Sequence, residues 1–247
     1  MNGGTQTQYL SFIDELYDSV VELCAGLKLT KRDPWQRNLV LLYLTQVEFF
    51  TAIRIMFINN CSIGINPLFR SLMEANVDFV NLTNDKEYVK KLLAAQLVED
   101  IGVMKSSKLG NPFLKGISDS PIFDDEYAKA KQELAELKKE GHNPLSLMDK
   151  FKIAKMMPVY WSVYKELCSE THNNVNALNS RHLSLNPDNK DYKIELFVPI
   201  DFDQLSPYLD SLCSIIVSAT ESIHSILESD KFEIVTELRK KFQQIRD

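Results

Sequence analysis

Asp33-Pro34-Trp35-Gln36-Arg37-Asn38-Leu39-Val40-Leu41-Leu42-Tyr43-Leu44-Thr45-Gln46 is the stretch that decides the fold class of this chain. Asp33 offers a carboxylate to the unpaired N–H groups of a first helical turn, and Pro34 brings a preset φ and no donor to its first position. The helix started here runs to about Asn60 and is apolar over much of its circumference, which predicts the central helix of a core. Upstream, Tyr9 to Leu27 places Leu10, Ile13, Leu16, Tyr17, Val20 and Leu23 on one broad stripe. Downstream, Asn66-Pro67 repeats the start signal and opens a helix to about Thr83. Its apolar stripe is Leu68, Leu72, Ala75, Phe79 and Leu82, with Arg70, Glu74, Asp78 and Asn81 on the other side. Asn84-Asp85 breaks the chain before a helix carrying Val89, Leu92, Leu93, Leu97, Ile101 and Met104.

Periodicity lapses from Ser106 to Pro121, a loop holding Gly110, Pro112 and Gly116. Asp124 to Glu140 is helical but polar, with a narrow seam of Tyr127, Ala130, Leu134 and Leu137. That pattern predicts one arm of a helical hairpin projecting from the body or lying across it. Gly141-His142-Asn143-Pro144 ends the arm and leads into another helix at Leu145, and Pro158 begins an aromatic helix. Leu183 to Pro199 reads as loop with at most one short β-hairpin, its strand near Lys193 to Val198. A long apolar helix starts at Asp203 or Ser206, and Ser229-Asp230 caps a last basic amphipathic helix ending near Arg246. The prediction is an all-α, multi-helix bundle forming a single domain over residues 1–247, with residues 106–143 as an excursion within it.

Composition narrows the function. Eight glycines and nine prolines in 247 residues are too few for the many turns of an all-β protein. A net charge of −6 argues against broad adhesion to nucleic acid. The start, Met1-Asn2-Gly3-Gly4, lacks a signal peptide's basic and apolar regions, and the apolar run at Leu39 to Leu44 stops at Thr45. Cys24, Cys61, Cys168 and Cys213 are scattered, as expected of free thiols in a reducing compartment. These features predict a cytoplasmic protein with no membrane partner, no metal and no cofactor. Glu221-Ser222-Ile223-His224 is a lone Glu-x-x-His, where a di-iron bundle needs two. The nucleophile elbow, the zinc-protease helix and the phosphate-binding glycine loop are all missing from the sequence.

Ionisable groups on otherwise core-like helices must be solvated, paired or functional. Arg70 and Glu74 are four apart and meet on one helix face. Read plainly they are an exposed ion pair; read functionally, Glu74 orients a guanidinium that grips phosphate or carboxylate. The aromatic helix ends in Ser169-Glu170-Thr171-His172-Asn173-Asn174, a run of short polar side chains that lines a pocket or simply lets the helix end. Arg181-His182 is a second basic-polar cluster.

Phe69-Arg70-Ser71-Leu72-Met73-Glu74-Ala75, followed far downstream by Tyr164-Lys165-Glu166-Leu167-Cys168-Ser169-Glu170-Thr171-His172, resembles a family of uncharacterised bacterial helical proteins distantly similar to HEPN domains. The resemblance spans roughly residues 35–230, and its matching positions are Arg70, Glu74, Tyr164, Ser169 and His172. It implies a HEPN-like bundle, often dimeric, from systems that cleave RNA, act as toxins or defend against phage. The HEPN ribonuclease motif, an arginine followed four to six residues later by histidine, is missing: Arg181 directly adjoins His182.

Two functions follow. In the first, the chain is a non-catalytic helical binding protein, part of a bacterial defence or stress system, whose partner is another protein or a second copy. In the second, it is a metal-independent ribonuclease acting on RNA. His172 is then the general acid or base, Arg70 with Glu74 stabilises charge, and Tyr164, Ser169, Asn173, Arg181 and His182 bind substrate. The acidic balance and the missing motif put the binding function first.

Overall fold

A computed structural model describes residues 6–29, 33–171, 174–186, 188, 191–196 and 202–246. Its main elements are α1 (Gln6–Ala25), α2 (Pro34–Ile58), α3 (Ile65–Asn84), α4 (Tyr88–Lys108), α5 (Lys115–Ser118), α6 (Phe123–Lys139), α7 (Leu147–Ile153), α8 (Met157–Val159), α9 (Lys165–Thr171) and α10 (Val175–His182). A two-stranded hairpin, β1 (Leu183–Leu185) and β2 (Tyr192–Ile194), precedes α11 (Phe202–Ile226) and α12 (Phe232–Arg246). The protein is an all-α bundle carrying one small antiparallel hairpin.

The predicted start of α2 is realised: the Asp33 carboxylate accepts from the N–H groups of Trp35 (2.9 Å) and Gln36 (3.3 Å). The start of α3 differs. The helix begins at Ile65 after Gly64, without a side-chain cap. Asn66 therefore lies inside the first turn, where Pro67 still costs nothing because N–H groups there have no intrahelical acceptor. α2 and α3 pack antiparallel, and the Trp35 indole N–H donates to the Leu82 carbonyl (2.8 Å), pinning the start of one to the end of the other.

α2 is the central element. By length and composition it could cross a membrane, with a mean hydropathy of 1.5 over its best 18 residues. Here its apolar circumference is used by neighbours on several sides: α1, α3 and α11 all pack on it. Leu39, Tyr43, Phe50 and Ile53 are almost wholly buried. Tyr43 also shares a hydrogen bond of 3.0 Å with Thr220 on α11, which satisfies both hydroxyls inside the core. α12 closes the bundle over α1 and α11, stacking Phe242 on Phe12 at 5.5 Å.

The polar arm predicted from Asp124 is α6, and it finds its partner within the chain. Tyr88, Val89 and Leu92 at the start of α4 pack on the main core, whereas Ala94 and Leu97 join Ala130 and Leu137 in a small separate core. α4 is thus the other arm of the hairpin. The narrow seam on α6 is covered by α4 and is not a free surface. Acidic Asp124, Asp125 and Glu126 in the first turn of α6, and Lys138 and Lys139 in its last, complement the helix dipole. Gly141, at φ +89°, lets His142 N–H close back on the Leu137 carbonyl (2.8 Å), the left-handed stop expected there.

Candidate functional site

α8 and α9 are one helix interrupted by a π-turn over Tyr160–Tyr164. A π-turn bonds i to i+5 and widens the helix, so side chains four apart come close to superposition; such turns recur at functional sites. Tyr160 and Tyr164 accordingly stack at 5.6 Å with an interplanar angle of 15°. Phe151 on α7 wedges against both, at 5.3 and 5.1 Å. Trp161 is left outside, 62% exposed, with the Lys165 ammonium 5.6 Å from its ring.

This packing delivers the Tyr164 hydroxyl to α3. It donates to Glu74 Oε1 at 2.7 Å and accepts from Arg70 Nε at 3.1 Å, while Arg70 Nε also reaches Glu74 Oε1 at 3.0 Å. The three groups form a closed triangle. Burial and the hydrogen bond to Glu74 push the Tyr164 phenol well above its ordinary range, with the Arg70 guanidinium opposing them. The bond to Tyr164 is also the chief reason that Arg70 holds its proton more firmly than usual. Tyr164 is therefore a neutral donor near pH 7 and no base.

The triangle is one end of a longer seam. Arg70, Glu74 and Asp78 recur every four residues along α3, and Asn81 continues the row. Asp78 accepts from Lys150 (2.8 Å) and from Tyr88 (2.6 Å), and the Asn81 amide donates to the Lys150 carbonyl (3.0 Å). Burial, reinforced by the Asp78 charge, raises the Tyr88 phenol as well. The polar face of α3 is therefore partly covered by α4, α7 and the π-turned helix, with Arg70 and Glu74 still partly exposed. Asp78 and Lys150 were not among the predicted site residues; the four-residue polar row on α3 was the only signal for Asp78, and Lys150, on α7, had none.

Among the predicted site residues, Arg70, Glu74 and Tyr164 come together. Ser169 is engaged elsewhere: its carbonyl (2.7 Å) and hydroxyl (2.6 Å) both meet the Asn174 amide, whose Oδ1 caps α10 at Ala177 N–H. Arg181 Nε donates to the Ala177 carbonyl (3.1 Å), and His182 Nδ1 lies 3.2 Å from the Glu195 carbonyl at the root of the β-hairpin. Those three serve local turns. His172 and Asn173 fall outside the described residues. Among the described residues, no three His, Cys, Asp or Glu side chains gather as a metal-binding group.

The arrangement can fix a helix, present a partly exposed guanidinium and carboxylate, and resist proton loss at Tyr164. No curated protein and no solved structure matches the chain. A family model matches residues 37–191, from the first turn of α2 to the threshold of β2, and so takes in both halves of the seam. The chain belongs to that family, a family of unknown function (DUF5677).

Proposed function

We propose that this protein is a non-catalytic helical interaction protein, in which Arg70, Glu74 and Tyr164 hold the aromatic helix on α3 and do not process a substrate. The observation that carries this reading is the double use of the Tyr164 hydroxyl, which donates to Glu74 and accepts from Arg70. The Tyr164 hydroxyl and the Arg70 Nε–H so engaged would have to give up internal hydrogen bonds before either could act on a scissile phosphate, and each such bond to a charged group is worth about 1.5–3 kcal/mol. The acidic net charge of −6 supports a protein partner over RNA. The sequence resemblance supports a setting in bacterial defence or stress.

The test is cleavage of single-stranded RNA in chelator-containing buffer by the parent protein, His172→Ala and Arg70→Ala. All three are expected to match the no-protein control. Time-dependent cleavage by the parent that His172→Ala abolishes, with its helical circular dichroism intact, would replace this reading with the ribonuclease one.

A further inference from the structure

The β-hairpin wears its apolar side outward. Its register pairs Leu183 with Ile194, Ser184 with Lys193 and Leu185 with Tyr192. Opposed residues share a face and neighbours alternate, so Leu183, Leu185, Tyr192 and Ile194 line one side, with Ser184 and Lys193 on the other. The polar side is satisfied from within: Glu195 Oε1 accepts from Ser184 Oγ (2.8 Å) and pairs with Lys193 Nζ (2.9 Å). The apolar side is open, with Leu185 61%, Tyr192 72% and Ile194 82% exposed, and Leu196, two residues on, 71% exposed. A lone two-stranded hairpin is marginal in water, and a contiguous apolar patch on one marks a contact surface.

We infer that this face is a homodimer interface, on which a second copy of the chain stacks its own hairpin about a two-fold axis. The inference rests on the interaction reading above and names its partner and surface. Three features select a second copy. Among the described residues the face carries no charged side chain, and so no cation for nucleic acid or an acidic headgroup. It is self-complementary, because a two-fold sets each apolar face on its equivalent, as two packed sheets do. Its five apolar side chains expose about 600 Å² by their fractional exposures, so a symmetric pair would bury about 1,200 Å² in all, the lower bound of a standard stable interface.

Sedimentation velocity of the full chain at about 1 to 100 µM should give twice the 28.4 kDa chain mass at the upper end. Tyr192→Glu/Ile194→Glu, placed at exposed positions, should weaken the dimer by about 100-fold or more with unchanged helical circular dichroism. Lys193→Gln, on the opposite face, should stay within about threefold of the parent. A monomer at every concentration, or a dimer indifferent to the double variant, overturns the inference. So does monomeric protein that co-floats with neutral phosphatidylcholine vesicles and loses this in the double variant. The RNA assay judges the interaction reading separately: an inert monomer refutes only the second copy, while cleavage refutes only the interaction reading.

Discussion

Tyr164→Phe isolates the hydroxyl at the centre of the seam. The ring contacts with Tyr160 and Phe151, at 5.6 and 5.1 Å, survive the change. What is lost is one bond donated to a carboxylate and one accepted from a guanidinium. Bonds to charged groups contribute about 1.5–3 kcal/mol when buried. Here the Glu74 and Arg70 side chains are 38% and 24% exposed, and their own 3.0 Å ion pair remains, so water and each other offset part of the loss. The expected cost is about 1–1.5 kcal/mol, or a Tm lower by roughly 2–6 °C for a chain of this size. Urea unfolding followed by far-ultraviolet circular dichroism measures it, with an unchanged denaturant slope. The phenol's raised pKa adds a second readout. Its stabilising effect is complete below pH ~10, the phenol's unfolded value, and is lost as pH climbs above it, so the variant should be less sensitive to alkali than the parent. Stability within about 0.3 kcal/mol of the parent, or a Tyr164 that ionises near pH ~10 by absorbance at 295 nm, would refute the clamp.

Two further predictions concern other parts of the molecule. Leu137→Ala removes a largely buried side chain from the small α4–α6 core at a cost of about 2 kcal/mol; amide exchange in α6 and the outer half of α4 should quicken about 30-fold while α2 and α3 stay protected, and uniform quickening would deny the hairpin its separate core. His224 is fully buried on α11, neither ring nitrogen has a hydrogen-bond partner among the described residues, and burial lowers its pKa. The unfolded chain then takes up a proton first as pH falls below about 6.5, so stability should drop between pH ~7 and pH ~5 at up to about 1.4 kcal/mol per pH unit, and less steeply in His224→Leu; identical slopes in urea unfolding would sink the argument.

Short-range physics settled much of this fold in advance. Asp33 and Pro34 make a helix start whose hydrogen bonds close within three residues, and Gly141 makes a stop whose positive φ is a property of one residue. The all-helical class and the apolar faces of α1, α2 and α3 follow from side-chain period alone. Arg70 and Glu74 were legible as a pair because an α-helix sets residues four apart side by side. Their third member was not legible from spacing: Tyr164 lies 90 residues beyond Glu74, and its arrival depends on a π-turn and on the Phe151 wedge. Tertiary packing alone turned the polar row of α3 from a solvated face into a seam, because Lys150 and Tyr88 had to be brought to Asp78 by other helices. It likewise chose α4 as the partner of α6, since a narrow apolar stripe states that something must cover it and not what does.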